Sequence, residues 1–167
     1  MTSVNEFDTG TLIFFSGKMG AGKSTRSQKI ALERHAVLLS EDEWLATLYP
    51  DQISSVADYI KYSNRLKPQI KKLVQSILVA GTDVVMDFPA NTRLQRAWFR
   101  EIFTEVQAPH CLIFVDVTNE RCLRQIAQRQ VEQPERMSTD TAEMFEQMTK
   151  YFVEPTSDEN FNITIIS

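Results

Sequence analysis

Short apolar runs alternate along the chain with longer segments in which apolar residues recur at helical spacing. The runs have the length and composition of buried parallel strands, and they occupy residues 11–16, 36–40, 82–87, 110–116 and 161–166. The periodic segments predict helices over residues 22–34, 41–48, 53–80, 91–107 and 119–129, with a last helix ending near residue 151. This alternation predicts a single α/β domain, residues 1–167, in which helices cover both faces of a five-stranded parallel sheet.

Two helical segments have residues that bear on where a helix begins or ends. Pro68 lies inside the segment 53–80, and proline lacks the N–H that an interior helical residue donates. We therefore expect either a kink at Pro68 or a second helix that has Pro68 in its first turn. Gly81 is expected to end this segment, and Ser138 or Thr139 is expected to cap the last helix.

The segment between the first strand and the first helix has the phosphate-binding pattern G-x-x-x-x-G-K-[ST]. Its glycines allow successive backbone N–H groups to point at an anion, and the helix adds the positive end of its dipole. Lys23 supplies a charge for the β- and γ-phosphates, and the Ser24 hydroxyl can bind Mg²⁺. The pattern predicts a nucleotide site formed by Gly17, Lys18, Met19, Gly20, Ala21, Gly22, Lys23, Ser24 and Thr25.

Two aspartates end predicted strands, at the sheet edge where ligands of such folds bind. Asp87 ends the third strand and is followed by Pro89 and a polar turn, so we predict that it joins Ser24 in holding Mg²⁺. Asp116 ends the fourth strand and is the alternative. It precedes a predicted helix, however, so its role can be to cap or charge that helix.

Three acidic residues follow the second strand in the sequence Ser40-Glu41-Asp42-Glu43. A carboxylate at this position can hold and deprotonate the hydroxyl of a phosphoryl acceptor. We predict Asp42 as this base, with Glu41 as the alternative. Glu43 is expected to be a solvated residue, because Ser40 can cap a helix whose first turn is acidic.

Several arginines follow the fourth strand. A guanidinium placed against the γ-phosphate stabilises the charge that develops there during phosphoryl transfer. We predict this role for Arg129, with Arg124 or Arg136 as its partner, whereas Arg121 is expected to be solvated. Residues 130–137 are polar and contain a proline, which predicts a short lid.

Composition and charge narrow the range of partners and of cellular locations. The formal net charge of −4 gives no overall attraction for a nucleic acid, so we expect none as a partner. Cys111 and Cys122 lack metal-ligand spacing and are expected to be reduced thiols, as in cytoplasmic proteins. No apolar run reaches the ~18 residues of a membrane span, and residues 1–10 lack signal-peptide features, so we expect no membrane association.

Four sequence motifs together resemble those of the P-loop kinases. They are GKMGAGKST, then LSEDEW after the second strand, VVMDFPANTR after the third and VDVTNERCLRQIAQR after the fourth. The chain is most similar to small ATP-dependent kinases that are grouped with AAA-type ATPase domains and are related to polynucleotide kinase and chloramphenicol phosphotransferase. The resemblance extends over nearly the whole chain, including the last strand.

This resemblance implies a sheet of strand order 2-3-1-4-5 with a short lid. It places the acceptor-activating base of the family on Asp42, the third-strand aspartate on Asp87, and the lid arginines on Arg129 and Arg124. The chain departs from polynucleotide kinase at Leu45, where that enzyme has an arginine three residues after its base. This departure, together with the negative net charge, disfavours a nucleic-acid end as the acceptor.

The sequence therefore predicts an ATP- and Mg²⁺-dependent phosphotransferase that acts on a hydroxyl of a small molecule. Its predicted catalytic residues are Lys23, Asp42, Arg129 and Arg124. One alternative is a kinase for a nucleotide or nucleic-acid 5′-hydroxyl. The other is a nucleotide-binding switch or regulatory ATPase, although the Asn-Lys-x-Asp motif of GTPases is absent.

Overall fold

In the computed structural model, which describes residues 8–134 and 141–167, five parallel strands form one sheet. Along the chain they are β1 (Leu12–Ser16), β2 (Val37–Ser40), β3 (Val84–Pro89), β4 (His110–Val115) and β5 (Ile163–Ile166). Their order across the sheet is β2-β3-β1-β4-β5, and all four neighbouring pairs are parallel. The predicted α/β fold and its strand order are confirmed.

Within the described residues, six helices connect the strands or precede the last one. They are α1 (Lys23–Arg34), α2 (Glu41–Leu48), α3 (Val56–Val79), α4 (Arg93–Glu105), α5 (Asn119–Glu132) and α6 (Ala142–Lys150), and a 3-10 turn covers Ser157–Glu159. Five of the helices begin with a Ser or Thr side chain that accepts a backbone N–H of the first turn. Among the described residues, no helix combines the length and the apolar character that a membrane span needs.

Three helical predictions need correction. The alternative of two helices around Pro68 is wrong, because α3 is one helix through Pro68. An interior proline costs about 3 kcal/mol, but α3 buries four large side chains, each contributing about 1.5–3 kcal/mol: Leu66, Ile70, Val74 and Leu78. The last helix is capped by Thr141, whereas the predicted caps, Ser138 and Thr139, lie outside the described residues. Finally, α5 continues beyond its predicted end at Arg129.

The central strand β1 separates two apolar clusters. Leu12 and Phe14 face the cluster under α3 and α4, where the Phe14 and Phe99 rings stack with centroids 4.5 Å apart. Ile13 and Phe15 face the cluster under α1, α5 and α6. All four side chains are at most 2% exposed, so β1 is fixed from both faces and so is the loop that leaves its carboxyl end.

Register places polar residues near the carboxyl ends of β2 and β3 side by side. Ser40, the last residue of β2, pairs with Asp87 of β3. The acidic start of α2 therefore lies next to the carboxyl end of β3, which in turn lies beside the loop that follows β1. This edge of the sheet collects the predicted site residues from three strands.

Candidate active site

The loop that joins β1 to α1 is held in place by its neighbours. The Gly17 N–H donates to Asn91 Oδ1 at 2.9 Å, and the Ala21 N–H donates to the Lys18 carbonyl at 3.0 Å. Gly20 has a φ of 81°, and a Cβ there would lie 2.7 Å from the Cys122 carbonyl oxygen in α5. A side chain at Gly20 would therefore combine backbone strain with a clash against α5.

The end of this loop has the shape that an anion site requires. Gly22 has a φ of 96°, so it too needs the left-handed conformation, but a Cβ there would meet nothing within 4 Å. Open space thus adjoins the first turn of α1, where unpaired N–H groups and the helix dipole favour an anion. Among the other predicted loop residues, Met19 packs against the apolar cluster under α1, α5 and α6, and Thr25 is exposed on α1.

Lys23 is half-buried, and its ammonium is turned onto the loop itself. It donates to the carbonyl oxygens of Gly17 and, at 3.2 Å, Lys18. Burial lowers the pKa of Lys23 to about 8, although the charges of Asp87 and Asp42 raise it. The ammonium is therefore charged at neutral pH, lies within the field of both predicted carboxylates, and can exchange its carbonyl partners for phosphate oxygens.

Ser24 and Asp87 are brought together as predicted for a Mg²⁺ site. The Ser24 hydroxyl donates to Asp87 Oδ2 at 2.7 Å, whereas Asp116 is exposed at the end of β4 and its N–H donates to the Ile166 carbonyl. A hydroxyl and one carboxylate suit Mg²⁺, which takes one or two protein oxygens and completes its shell with water and phosphates. The described residues contain no group of three His, Cys, Asp or Glu side chains that could enclose a metal.

The acidic residues of α2 have different environments. Glu41 is 3% exposed, and its two oxygens accept hydrogen bonds from Tyr59 and, at 2.8 Å, from Ser63. Asp42 is exposed and lies within electrostatic reach of Lys23, and Glu43 is exposed with its N–H on the Ser40 cap. Because both Glu41 oxygens are occupied by α3, the geometry favours Asp42 over Glu41 as the group that meets an acceptor.

Burial raises the pKa of Glu41 from 4.5 to about 7, although the hydrogen bonds from Tyr59 and Ser63 lower it. Folding therefore favours the protonated form. This stabilisation is complete below pH 4.5, where the unfolded chain is also protonated, and is lost as the pH rises through 7. We expect the free energy of unfolding to fall by about 3 kcal/mol across this window through Glu41 alone.

Glu41→Gln should remove that fall, because glutamine does not ionise and the two hydroxyls can adapt their hydrogen bonds to an amide. Urea unfolding of both proteins at pH 4.5 and pH 7.5 measures the difference. Equal losses of stability in the two proteins would show that Glu41 does not titrate in this window.

The arginines of α5 are separated by helical geometry. Arg129 follows the buried residues Cys122 and Ile126 on the same face of α5, is half-buried, and lies close enough to Lys23 to lower its pKa. Arg124 lies only two residues from Cys122 and is exposed, so the structure does not place it with Arg129. The other predicted partner, Arg136, lies outside the described residues. The predicted lid, residues 130–137, is described only in part, and its first residues continue α5.

Sequence reasoning missed a buried support for the loop. Arg96 is fully buried in α4, donates to the carbonyls of Ala90 at 3.0 Å and Val153 at 2.8 Å, and is 2.8 Å from Glu159. Next to it, Asn91 accepts the Val153 N–H at 2.7 Å with its carbonyl while its side chain holds Gly17. The polar turn after Pro89 was a signal for Asn91, but no local pattern marks Arg96.

Comparisons with known proteins bear on the family and the fold of the chain. The sequence model of the AAA domain family matches residues 12–155. No curated protein sequence matches the chain.

Among solved structures, the fold is similar to that of a candidate kinase from Chloroflexus aurantiacus, with a TM-score of 0.72, 18% identity and coverage of 95% of this chain and 85% of that one. It is also similar to Kti12 from Chaetomium thermophilum in complex with ADP-AlF3, with a TM-score of 0.68, 17% identity and coverage of 93% and 88%. A third similar structure is the APS kinase CysC from Mycobacterium tuberculosis in complex with AMPPNP and APS. Its TM-score is 0.60 at 19% identity, with coverage of 89% of this chain and 84% of that one. At these identities the structures establish a shared fold.

Proposed function

Since the chain belongs to the AAA domain family, whose sequence model spans residues 12–155, we propose that it is an ATP- and Mg²⁺-dependent phosphotransferase. The acceptor in this proposal is a hydroxyl group of a small molecule. One observation carries it: an exposed carboxylate, Asp42, lies within electrostatic reach of the phosphate-loop lysine, Lys23. A phosphate site with a carboxylate facing it is the arrangement that transfer to a hydroxyl needs.

Each side chain of the site has a role in this proposal. The backbone N–H groups at the start of α1 and the Lys23 ammonium bind the β- and γ-phosphates of ATP. Ser24 and Asp87 would hold Mg²⁺, which neutralises charge on the phosphates when it is bound. Arg129, on the loop-facing side of α5, is placed to meet charge that develops on the γ-phosphoryl oxygens.

Asp42 acts on the acceptor. Its carboxylate accepts the proton of the acceptor hydroxyl as that oxygen bonds to the γ-phosphorus, while the bond from the γ-phosphorus to the β,γ-bridging oxygen breaks and ADP leaves. Leu45 is 5% exposed, so the position where polynucleotide kinase has an arginine contributes to the core here. This burial supports a small molecule over a nucleic-acid 5′-hydroxyl.

A regulatory ATPase is the second candidate. Because Asp42 is exposed, a water molecule can occupy the position of the acceptor oxygen, and the same groups would then hydrolyse ATP.

A screen of pooled hydroxyl-bearing metabolites with ATP and Mg²⁺ separates the two candidates. We expect one pool to raise ADP production and to yield a product heavier by one phosphoryl group, and Lys23→Ala should abolish both signals. ADP production that is indifferent to every pool, but changes on addition of a protein partner, would contradict the phosphotransferase and support the ATPase.

A further inference from the structure

One face of α3 continues past the residues that hold Glu41. Tyr59, Ser63 and Lys67 follow one another at four-residue spacing, so they lie on the same side of the helix. The first two donate hydrogen bonds to Glu41, and the charge of Lys67 lies within electrostatic reach of the same carboxyl group. Lys67 is therefore directed toward the start of α2, next to the proposed base Asp42.

Lys67 also lies over an aromatic wall at the carboxyl end of β3. Its Nζ is 5.5 Å from the centre of the Trp98 ring, and that ring packs against Phe88 with centroids 6.0 Å apart. Phe88 directly follows Asp87, the proposed Mg²⁺ ligand. The ammonium is thus placed among α2, α3 and β3, on the acceptor side of the site.

The surroundings of Lys67 offer its charge little compensation. In the described parts of the chain, no carboxylate oxygen lies within 4.0 Å of its Nζ, whereas Lys71, one turn further along α3, is 3.0 Å from Glu105 and 3.6 Å from Glu101. Both oxygens of the nearby Glu41 are occupied by Tyr59 and Ser63. A half-buried ammonium on an indole ring, without a bonded carboxylate, is a suitable binding group for an anion.

We propose that Lys67, held over Trp98, binds an anionic group of the acceptor, so that the substrates are small molecules carrying both a hydroxyl and a carboxylate or phosphate. This proposal rests on the phosphotransferase function above. The Lys67 ammonium donates charge-assisted hydrogen bonds to the anion, and the Trp98 ring provides a flat apolar surface for the carbon skeleton. The acceptor hydroxyl is thereby oriented toward Asp42.

The chain provides a matched control on the same helix. Lys61 also lies over an aromatic ring, with its Nζ 5.3 Å from the centre of Tyr62, but it is exposed and does not belong to the face that holds Glu41. Lys61→Met and Lys67→Met therefore remove the same charge and the same kind of ring contact. They differ in whether the ammonium adjoins the proposed acceptor site.

The kinetic test compares three pools: sugar phosphates, sugar acids and neutral sugars. We expect the acceptor in one of the two anionic pools, and which pool it is distinguishes phosphate from carboxylate. Lys67→Met should raise the KM for that acceptor about 10–100-fold without changing the affinity for ATP, Lys67→Arg should restore part of the loss, and Lys61→Met should stay within about twofold. A neutral acceptor, or an unchanged KM in Lys67→Met, would overturn the proposal.

A binding test does not require turnover. Trp98 and Trp44 are the two tryptophans of the chain, so Trp44→Phe makes Trp98 the single indole reporter. With the phosphate loop filled by a non-hydrolysable ATP analogue and Mg²⁺, we expect one anionic pool, and not the neutral sugars, to change Trp98 fluorescence. Adding Lys67→Met should abolish the change and adding Lys61→Met should keep it.

The two tests separate the two proposals. A fluorescence response without phosphoryl transfer would retain the anion site and reject the phosphotransferase. No response to either anionic pool would overturn the anion site even if a phosphoryl acceptor is found among the neutral sugars.

Discussion

Asp42→Asn is expected to lower phosphoryl transfer to the true acceptor by about 10²–10⁴-fold, the usual loss on removing a general base. Asparagine keeps the size of the side chain and most of its hydrogen bonding, but it cannot take the acceptor proton. Because the transition state of phosphoryl transfer is loose, the base matters less than in acyl transfer, and the lower part of this range is expected. Single-turnover phosphorylation with saturating ATP measures the effect.

Two controls accompany Asp42→Asn: a second substitution on the same helix, and the ATP affinity of the Asp42→Asn protein itself. Glu43→Gln removes an exposed charge from the first turn of α2 and should be nearly neutral, because dipole effects there contribute only ~0.3–1 kcal/mol. ATP should bind Asp42→Asn as well as wild type or slightly better, since a negative charge near the phosphates is gone. A folded, ATP-competent Asp42→Asn protein that phosphorylates its acceptor at the wild-type rate would contradict the assigned role.

Lys23→Met should lower kcat/KM for ATP by about 10²–10⁴-fold. Methionine keeps an apolar stem of similar length, so the half-buried loop retains its packing, but two charge-assisted phosphate contacts of about 1.5–3 kcal/mol each are lost. The fold should survive, because the carbonyls that accept from the ammonium belong to loop residues, Gly17 and Lys18, that lie outside the two apolar clusters of the core. Steady-state kinetics and urea unfolding of the two proteins check both statements.

The pKa of Lys23 gives this prediction a second readout. Since burial lowers it to about 8, the free protein loses this charge above pH 8 and must take up a proton to bind phosphates. Affinity for ATP should then fall about tenfold per pH unit above 8 in the wild type and remain flat in Lys23→Met. Parallel pH profiles in calorimetric titrations would show that Lys23 does not contact the phosphates.

Local chemistry made the phosphate loop predictable from the sequence. The apolar strand β1, the glycines at positive φ and the helix that starts at Lys23 are adjacent in the chain, so one continuous pattern specifies all three. Asp87 was predictable for a related reason, because parallel strands bring their carboxyl ends to one edge of the sheet. The structure adds the strand register, which pairs Asp87 with Ser40.

Contacts between distant segments were not predictable in the same way. Glu41 and Asp42 are equivalent in the sequence, and they differ only because α3 presents Tyr59 and Ser63 to one of them. The end of α5 was missed for a different and local reason, since apolar spacing stops before helix propensity does. Arg96 resembles any arginine on a solvated helix until residues 153–159 fold over it.

The segment 153–159 sets the order in which the site can form. Glu159 and the Val153 carbonyl bind Arg96, whose neighbouring turn provides the Asn91 side chain that holds Gly17 at the start of the phosphate loop. Residues 153–159 follow the loop far along the chain, so during synthesis the loop is made well before the segment that supports it. The loop therefore keeps its observed conformation only after residues 153–159 have been made and have packed against Arg96.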